Sequence, residues 1–382
     1  MRVGFLTSGG DCQALNATMR GIAKTLYRNV PDVEIIGFID GYKGLMYGNY
    51  KKLKPKDFVG ILDQGGTILG SSRCPFKMMR VIEDGFDKVE AMKKTYYDLK
   101  LDALAVLGGN GSLKSANMLA QEGLNVIGLP KTIDNDTWGT DYTFGYQSAI
   151  DIATHYLDEI KTTAASHHRV MVIEVMGHKV GHICLSAGIA SGCEIILIPE
   201  IPYDINEVAA AIKRRQAEGK TYTVIACAEG AISKEDALLK KKKYKEKVAA
   251  RNGRSVVHEV AEELAQLCDA EIRVSCIGHA QRGGRPVPYD RMISTRFGIE
   301  GARLIMNRSF GRLVVLYHGE VGSIPLEDTA GKLDYVDVNG KIVENIRLMG
   351  VCLGDNPEAE EEARRIAKEK KKAKREKKTK EE

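Results

Sequence analysis

Asp134 and Asp136, two residues apart and closely preceded by Lys131, are the strongest chemical signal in the sequence. They lie in Gly128-Leu129-Pro130-Lys131-Thr132-Ile133-Asp134-Asn135-Asp136, directly after the apolar run Leu124 to Ile127. An apolar run of strand length that ends in Gly and Pro sets polar groups at a strand's carboxyl end, where open α/β sheets bind their ligands. On extended backbone the period-two spacing turns both carboxylates toward one cavity, with Lys131 adding positive charge beside them. That is chemistry suited to phosphate and metal ions. The same residue types also build an ordinary surface turn, in which Asp and Asn bond their own backbone.

Such residues need a frame, and the surrounding pattern predicts one. Residues 2 to 7 form an apolar run that leads into Ser8-Gly9-Gly10-Asp11, followed by Leu15, Met19, Ile22, Ala23 and Leu26 at helical spacing. Strand, glycine turn and helix in that order let backbone amides approach an anion, although a tight turn without a ligand has the same pattern. Val33 to Ile39 and Ala103 to Leu107 predict further strands, the second ending at Gly108-Gly109-Asn110-Gly111-Ser112 and a helix. Between them, Gly65 to Pro75 is a loop of small residues whose one basic group is Arg73, next to Cys74.

Ile150, Ala153, Tyr156, Leu157 and Ile160 predict a helix over about 146 to 162. Strand-like runs then recur at Val170 to Val175, Ile195 to Ile198, Thr223 to Ala226 and Ile272 to Ile277, separated by helical patterns. The alternation predicts two doubly wound, Rossmann-like α/β units with the site in the cleft between them. Residues 1–145 plus about 281–330 are expected to form one unit, and 146–280 plus about 331–355 the other, followed by a charged tail over 356–382. Val336 to Val343 reads as a hairpin around Asn339-Gly340.

At 382 residues with 43% hydrophobic content the chain is long enough for two filled cores. A net charge of +5 is small at this length, and much of the excess lies in a lysine run at 240–247 and in the tail, so it gives no argument for nucleic acid. Those runs read as solvated faces. No stretch has the roughly 20 apolar residues that span a bilayer. Eight scattered cysteines without a metal-binding spacing suit free thiols in a reducing compartment, and a cytoplasmic location with no membrane attachment is expected.

Four segments in register, Leu6 to Asp11, Lys131 to Asp136, Val175-Met176-Gly177 and Gly278 to Gly284, resemble the phosphofructokinase family, and the resemblance covers roughly residues 1 to 350. It implies phosphoryl transfer to the 1-hydroxyl of fructose 6-phosphate, with Asp134 as base, Thr132 orienting the hydroxyl and Lys131 adding charge. It places Gly10, Arg73, Cys74, Gly109, Asn110, Gly111 and Ser112 on the donor, with Mg2+ held partly through Asn110. On the sugar phosphate it implies Thr132, Ile133 and Asp134, the Met176-Gly177-His178 turn, and Glu229. Arg169, Arg273, His279, Ala280, Gln281 and Arg282 complete that set, with Arg169 and Arg273 reaching across from a neighbouring subunit of a homodimer or homotetramer.

Three positions depart from the family pattern: Ala14, after Gln13, where Gly usually follows Pro or Gln, Asn110 where an acidic residue is common, and His178 where Arg is common. The donor markers also point two ways. Gly111 leaves the room that ATP needs, whereas Lys131 is typical of pyrophosphate users, so ATP is the expected donor and pyrophosphate the alternative. A weakly active sugar-phosphate sensor is a further reading, against which the intact Asp134 argues. The cationic effector set is incomplete, so weak or absent nucleotide regulation is expected.

Overall fold

The computed structural model describes residues 1–357 and 359, so nearly all of the charged tail expected over 356–382 lies outside the described residues. Eleven strands among the described residues form two sheets. In chain order they are β1 (Arg2–Ser8), β2 (Glu34–Phe38), β3 (Tyr50–Leu53), β4 (Ala103–Gly108), β5 (Val126–Pro130), β6 (Val170–Val175), β7 (Ile195–Leu197), β8 (Thr223–Ala228), β9 (Ile272–Cys276), β10 (Arg312–Tyr317) and β11 (Glu320–Pro325). The larger sheet runs β11-β10-β5-β4-β1-β2-β3 and the smaller β7-β8-β6-β9. Pairing is parallel except at the two edges of the larger sheet, β2 with β3 and β10 with β11. Lys51 and Lys52 on the edge strand β3 are exposed, charges that discourage a further strand from pairing there.

Period-two alternation splits each central strand between two cores. Ala103, Ala105 and Leu107 of β4 enter one apolar cluster, while Leu104 and Val106 enter the cluster on the opposite face. On β6, Met171, Ile173 and Val175 join the first of those clusters, and Val170 and Val172 join a third. One core therefore runs continuously from the larger sheet to the smaller. Side chains of the helices Leu15–Asn29, Tyr146–His167, His182–Ala190 and Pro288–Met306 contribute to it.

Two helices meet there at backbone distance. A Cβ on Gly298 would stand 2.5 Å from the Thr18 carbonyl oxygen, and one on Gly21 would stand 2.9 Å from the Thr295 carbonyl oxygen. Asp290, fully buried on Pro288–Met306, accepts from Gly145 N (3.1 Å), Ser148 N (2.8 Å) and Ser148 Oγ (2.5 Å). It thereby fastens the amino end of the long helix, where free amides favour a carboxylate. Burial raises its pKa, and those hydrogen bonds act in the opposite direction.

The hairpin expected over Val336 to Val343 does not form; Lys341–Leu348 is a helix. A two-residue type I′ turn needs positive φ at both positions. Gly340 has φ −75° and Asn339 is not in the left-handed region. Instead Asp337 Oδ1 accepts from Asn339 N at 3.0 Å, and Val343 and Ile346 bury at helical spacing. The lysine run is helical over Lys241–Ala250 with no buried residue, and Lys247 Nζ lies 2.8 Å from the buried Asp236 carboxylate.

Candidate active site

Three loops leave adjacent, in-register positions of the larger sheet. Ser8 pairs with Gly108, and Gly108 with Pro130, so β1, β4 and β5 release their chains side by side. At a strand spacing of about 4.8 Å, the loops after Ser8, Gly108 and Pro130 begin within roughly 10 Å of one another. In the smaller sheet Val175 pairs with Ala228, and Glu174 with Cys276, which brings Met176-Gly177-His178, Glu229 and the Gly278–Arg282 turn together at its carboxyl end.

The loop carrying the two carboxylates is braced by Asn135, which stands at φ 56°. Its Oδ1 accepts from Thr143 N (2.8 Å) and Thr143 Oγ1 (3.3 Å), and its Nδ2 donates to the Asp141 carbonyl (3.1 Å). Thr143 Oγ1 also donates to the Thr132 carbonyl at 2.8 Å, while Thr132 Oγ1 accepts from Asp134 N at 3.0 Å. Asp134 Oδ1 and Asp136 Oδ1 are left buried without a partner. Burial raises the Asp134 pKa, with Glu229 adding to the rise and Arg282, His178 and Lys131 opposing it. Asp136 is pushed up to about 6, by burial first and then by the charge of Asp134. Ile133 is wholly buried and anchors the loop in the core.

Lys131 is only 3% exposed, and its Nζ donates to the Gly10 carbonyl. Burial lowers its pKa. Arg282 closes over the same turn: Nη1 donates to the Asp11 carbonyl at 3.0 Å and stands 2.8 Å from where a Cβ on Gly10 would lie. Its Nε is buried without a partner. The guanidinium thus reaches the first glycine turn as well as the neighbourhood of Asp134. Gln13, just before the departing Ala14, donates from Nε2 to the Gln281 carbonyl at 2.9 Å and ties that turn to the segment bearing Arg282. Gln281 is fully buried, whereas His279 and Ala280 are exposed.

Gly109 caps the helix Asn110–Gln121 at the end of β4. Ser112 Oγ donates to Ser8 Oγ at 3.0 Å, joining this turn to the first. Asn110 Nδ2 donates to the Lys332 carbonyl at 2.6 Å, and a Cβ on Gly111 would meet nothing within 4 Å. Ser71 Oγ donates to the Gly9 carbonyl at 2.6 Å and carries the Arg73 loop beside the same turn; Arg73 is exposed and Cys74 half-buried.

Across the cleft, one oxygen of Glu229 accepts from His178 N (2.6 Å) and Gly177 N (3.2 Å), which sets the turn at Met176-Gly177-His178. His178 takes φ 53°, and its backbone N–H is the group that Glu229 holds. Arg169 and Arg273 are elsewhere, at the amino ends of β6 and β9. Both bond Glu271 Oε1, at 2.9 and 2.5 Å. A six-residue strand spans roughly 20 Å, so these arginines do not join the cluster around Asp134 within one chain.

Asn135 and Glu271 were missed as organising residues in the sequence. Asn between two acids is a visible signal for a left-handed turn position. Glu271 carried none, because its role depends on strand register. Among the described residues no cluster of three or more metal-ligating His, Cys, Asp or Glu side chains occurs, and no helix is long and apolar enough to cross a membrane.

Glycine turns beside paired carboxylates, at the carboxyl ends of parallel strands in two facing α/β units, define a phosphotransferase-type site. The phosphofructokinase family model matches residues 2–305, and the chain belongs to that family. It is 49% identical over 356 residues to an ATP-dependent 6-phosphofructokinase of Spirochaeta thermophila, covering 92% of this chain and 97% of that one. It is 42% identical to ATP-dependent 6-phosphofructokinase 3 of Bacteroides thetaiotaomicron, covering 93% and 100%. Among solved structures, phosphofructokinase from Saccharomyces cerevisiae superposes with a TM-score of 0.74 at 28% identity, over 86% of this chain and 45% of the longer yeast chain. A pyrophosphate-dependent phosphofructokinase from Nitrosospira multiformis shares the fold, with a TM-score of 0.76 at 17% identity over 93% of this chain and 92% of that one.

Proposed function

We infer that the protein is a 6-phosphofructokinase that transfers the terminal phosphoryl group of ATP to the 1-hydroxyl of fructose 6-phosphate. The observation that carries the donor assignment is the open space at Gly111, at the start of the helix beside the glycine turn. A nucleotide has room there that a side chain would remove. The relatives named as ATP-dependent enzymes support the same choice.

In this reading Asp134 takes the proton of the 1-hydroxyl as that oxygen bonds to the terminal phosphorus, and the bond from phosphorus to the bridging oxygen breaks to release ADP. Its buried, unpartnered Oδ1 is a free acceptor, and burial raises its basicity. Arg282 and Lys131 offset the charge on the transferring group, and Glu229 fixes the turn at Met176-Gly177-His178 against the sugar. Asp136, with its own buried free oxygen, and Asn110, whose Oδ1 remains available for a metal-bound water, fit a magnesium ion that keeps most of its waters. Magnesium would supply neutralisation of the donor phosphates. Arg169 and Arg273, remote from Asp134 in their own chain, serve the 6-phosphate in a partner subunit of a homodimer or homotetramer.

The deciding experiment is steady-state phosphorylation of fructose 6-phosphate with ATP and, separately, with pyrophosphate. We expect kcat/KM for ATP to exceed that for pyrophosphate at least about tenfold, a difference of about 1.4 kcal/mol. A preference for pyrophosphate would overturn the donor assignment.

A further inference from the structure

Asn110, the departure nearest the donor, has a partner that an acidic residue would not have. Its amide donates to the Lys332 carbonyl at 2.6 Å. An ionised carboxylate has no proton to give and would set oxygen against oxygen.

The backbone that receives this bond is a strap joining three parts of the site. Leu333 bridges Thr137 in antiparallel fashion, and Asp334 N donates to the Asp136 carbonyl at 3.0 Å, so the strap edges the loop that bears Asp134. The Asp334 carbonyl faces His182 Nε2 at 3.2 Å, and Val336 N donates to Glu200 Oε1 at 3.0 Å. That Glu200 oxygen also accepts from Gly181 N at 3.0 Å, which links the strap to the second unit just beyond the Met176-Gly177-His178 turn. Within five residues, therefore, the chain touches the donor helix, the carboxylate loop and the sugar-phosphate side.

We propose that Asn110 is a positioning residue whose amide tethers the segment 331–337, coupling the phosphoryl-donor loop to the sugar-phosphate half of the site. The proposal rests on the assignment of the two halves made under Proposed function. It reassigns the side chain: the amide nitrogen is committed to the strap, and any metal contact falls to the remaining oxygen. Loss of the tether is felt by fructose 6-phosphate as well as by the donor.

The strap carries its own reporter. Lys332 Nζ lies 4.1 Å from the ring centroid of Trp138, the one tryptophan in the sequence. Asn110→Asp and Asn110→Ala, made in the full chain, both delete the amide donor while differing in charge. The first measurement is acrylamide quenching of Trp138 in the ligand-free proteins, and the expected result is stronger quenching in both variants. The second is steady-state kinetics over a range of free magnesium. Loss of one neutral hydrogen bond predicts a rise of about 2- to 10-fold in the fructose 6-phosphate KM, in the same direction for both variants.

A residue that serves only the metal behaves differently. The aspartate would then lower the magnesium concentration for half-maximal rate and the alanine raise it, with Trp138 quenching and the fructose 6-phosphate KM at wild-type values; that pattern overturns the tether. Should the wild type fail to phosphorylate fructose 6-phosphate, the assignment of function falls, while the quenching comparison still decides whether Asn110 holds the strap.

Discussion

The two ends of the smaller sheet treat their charged groups differently. At the carboxyl ends of the strands, facing the larger sheet, Asp134, Asp136 and Arg282 each keep a buried polar atom without a partner. At the amino ends, Arg169 and Arg273 are both bonded to Glu271, and Arg273 is more than half exposed. Unpartnered buried groups are costly, and a folded chain keeps them where a ligand completes them. Arg273 is presented outward, whereas Arg169 is largely covered and also keeps a buried Nε without a partner. Within the chain the two arginines share one carboxylate, Glu271, and their proposed place of action is a partner subunit's site.

The largest effect expected from breaking this contrast is at Asp134. Asp134→Ala should lower kcat by at least about 100-fold, the usual scale of a general base, while fructose 6-phosphate still binds measurably. Retention of more than about a tenth of the rate would remove Asp134 from that role.

Next in size is the outward-facing end. Arg273→Ala should raise the fructose 6-phosphate KM by about tenfold or more, the scale of a charge-assisted hydrogen bond to phosphate. Mixed oligomers of Arg273→Ala and Asp134→Ala subunits should recover activity that neither has alone. Verified mixed oligomers with no recovery would return Arg273 to a structural role.

The last effect is on stability rather than on turnover. The folded pKa of Asp136, about 6, lies above the ordinary 3.8. Its contribution is therefore fully present below about pH 4 and is lost as the pH rises through about 6. At neutral pH the ionised group costs on the order of 3 kcal/mol in the ligand-free protein. Asp136→Asn should stabilise the ligand-free protein at pH 7 and lose that advantage by pH 4. Thermal melts at the two pH values measure it, and an equal difference at both would show that Asp136 does not titrate in that range.

How far this was legible in the sequence differs by element. β1, β4 and β5 could be read because they are buried on both faces, and an uninterrupted apolar run that stops at glycine is the mark of such a strand. The glycine turns and Asp134 lay at those stops. The hairpin β10–β11 was overlooked although Leu313 to Leu316 is a buried apolar run and Gly319 lies at its turn. Val336 to Val343, at the end of the strap and beyond it, was misread for a definite reason: Asn-Gly is a strong hairpin signal only when both residues take positive φ, and here Asp337 accepts from the Asn339 amide instead. The pairing of Arg169 and Arg273 through Glu271 is a matter of strand register between β6 and β9, which one-dimensional spacing does not carry.

The order of the strands also sets an order of events on the ribosome. All four strands of the smaller sheet lie between residues 170 and 276, one unbroken stretch, so that sheet can close as soon as β9 has emerged. The larger sheet is interrupted: β5 ends at Pro130, but its outer neighbour β10 begins at Arg312. Until that strand is made, β5 offers an open parallel edge, and Asp290 is not yet there to hold the start of the long helix. For some 180 residues of synthesis, at about 5–20 residues per second, the nascent chain depends on β5 staying unpaired with strangers, and the smaller sheet in turn receives Cys352 beside Ile195 only after β11.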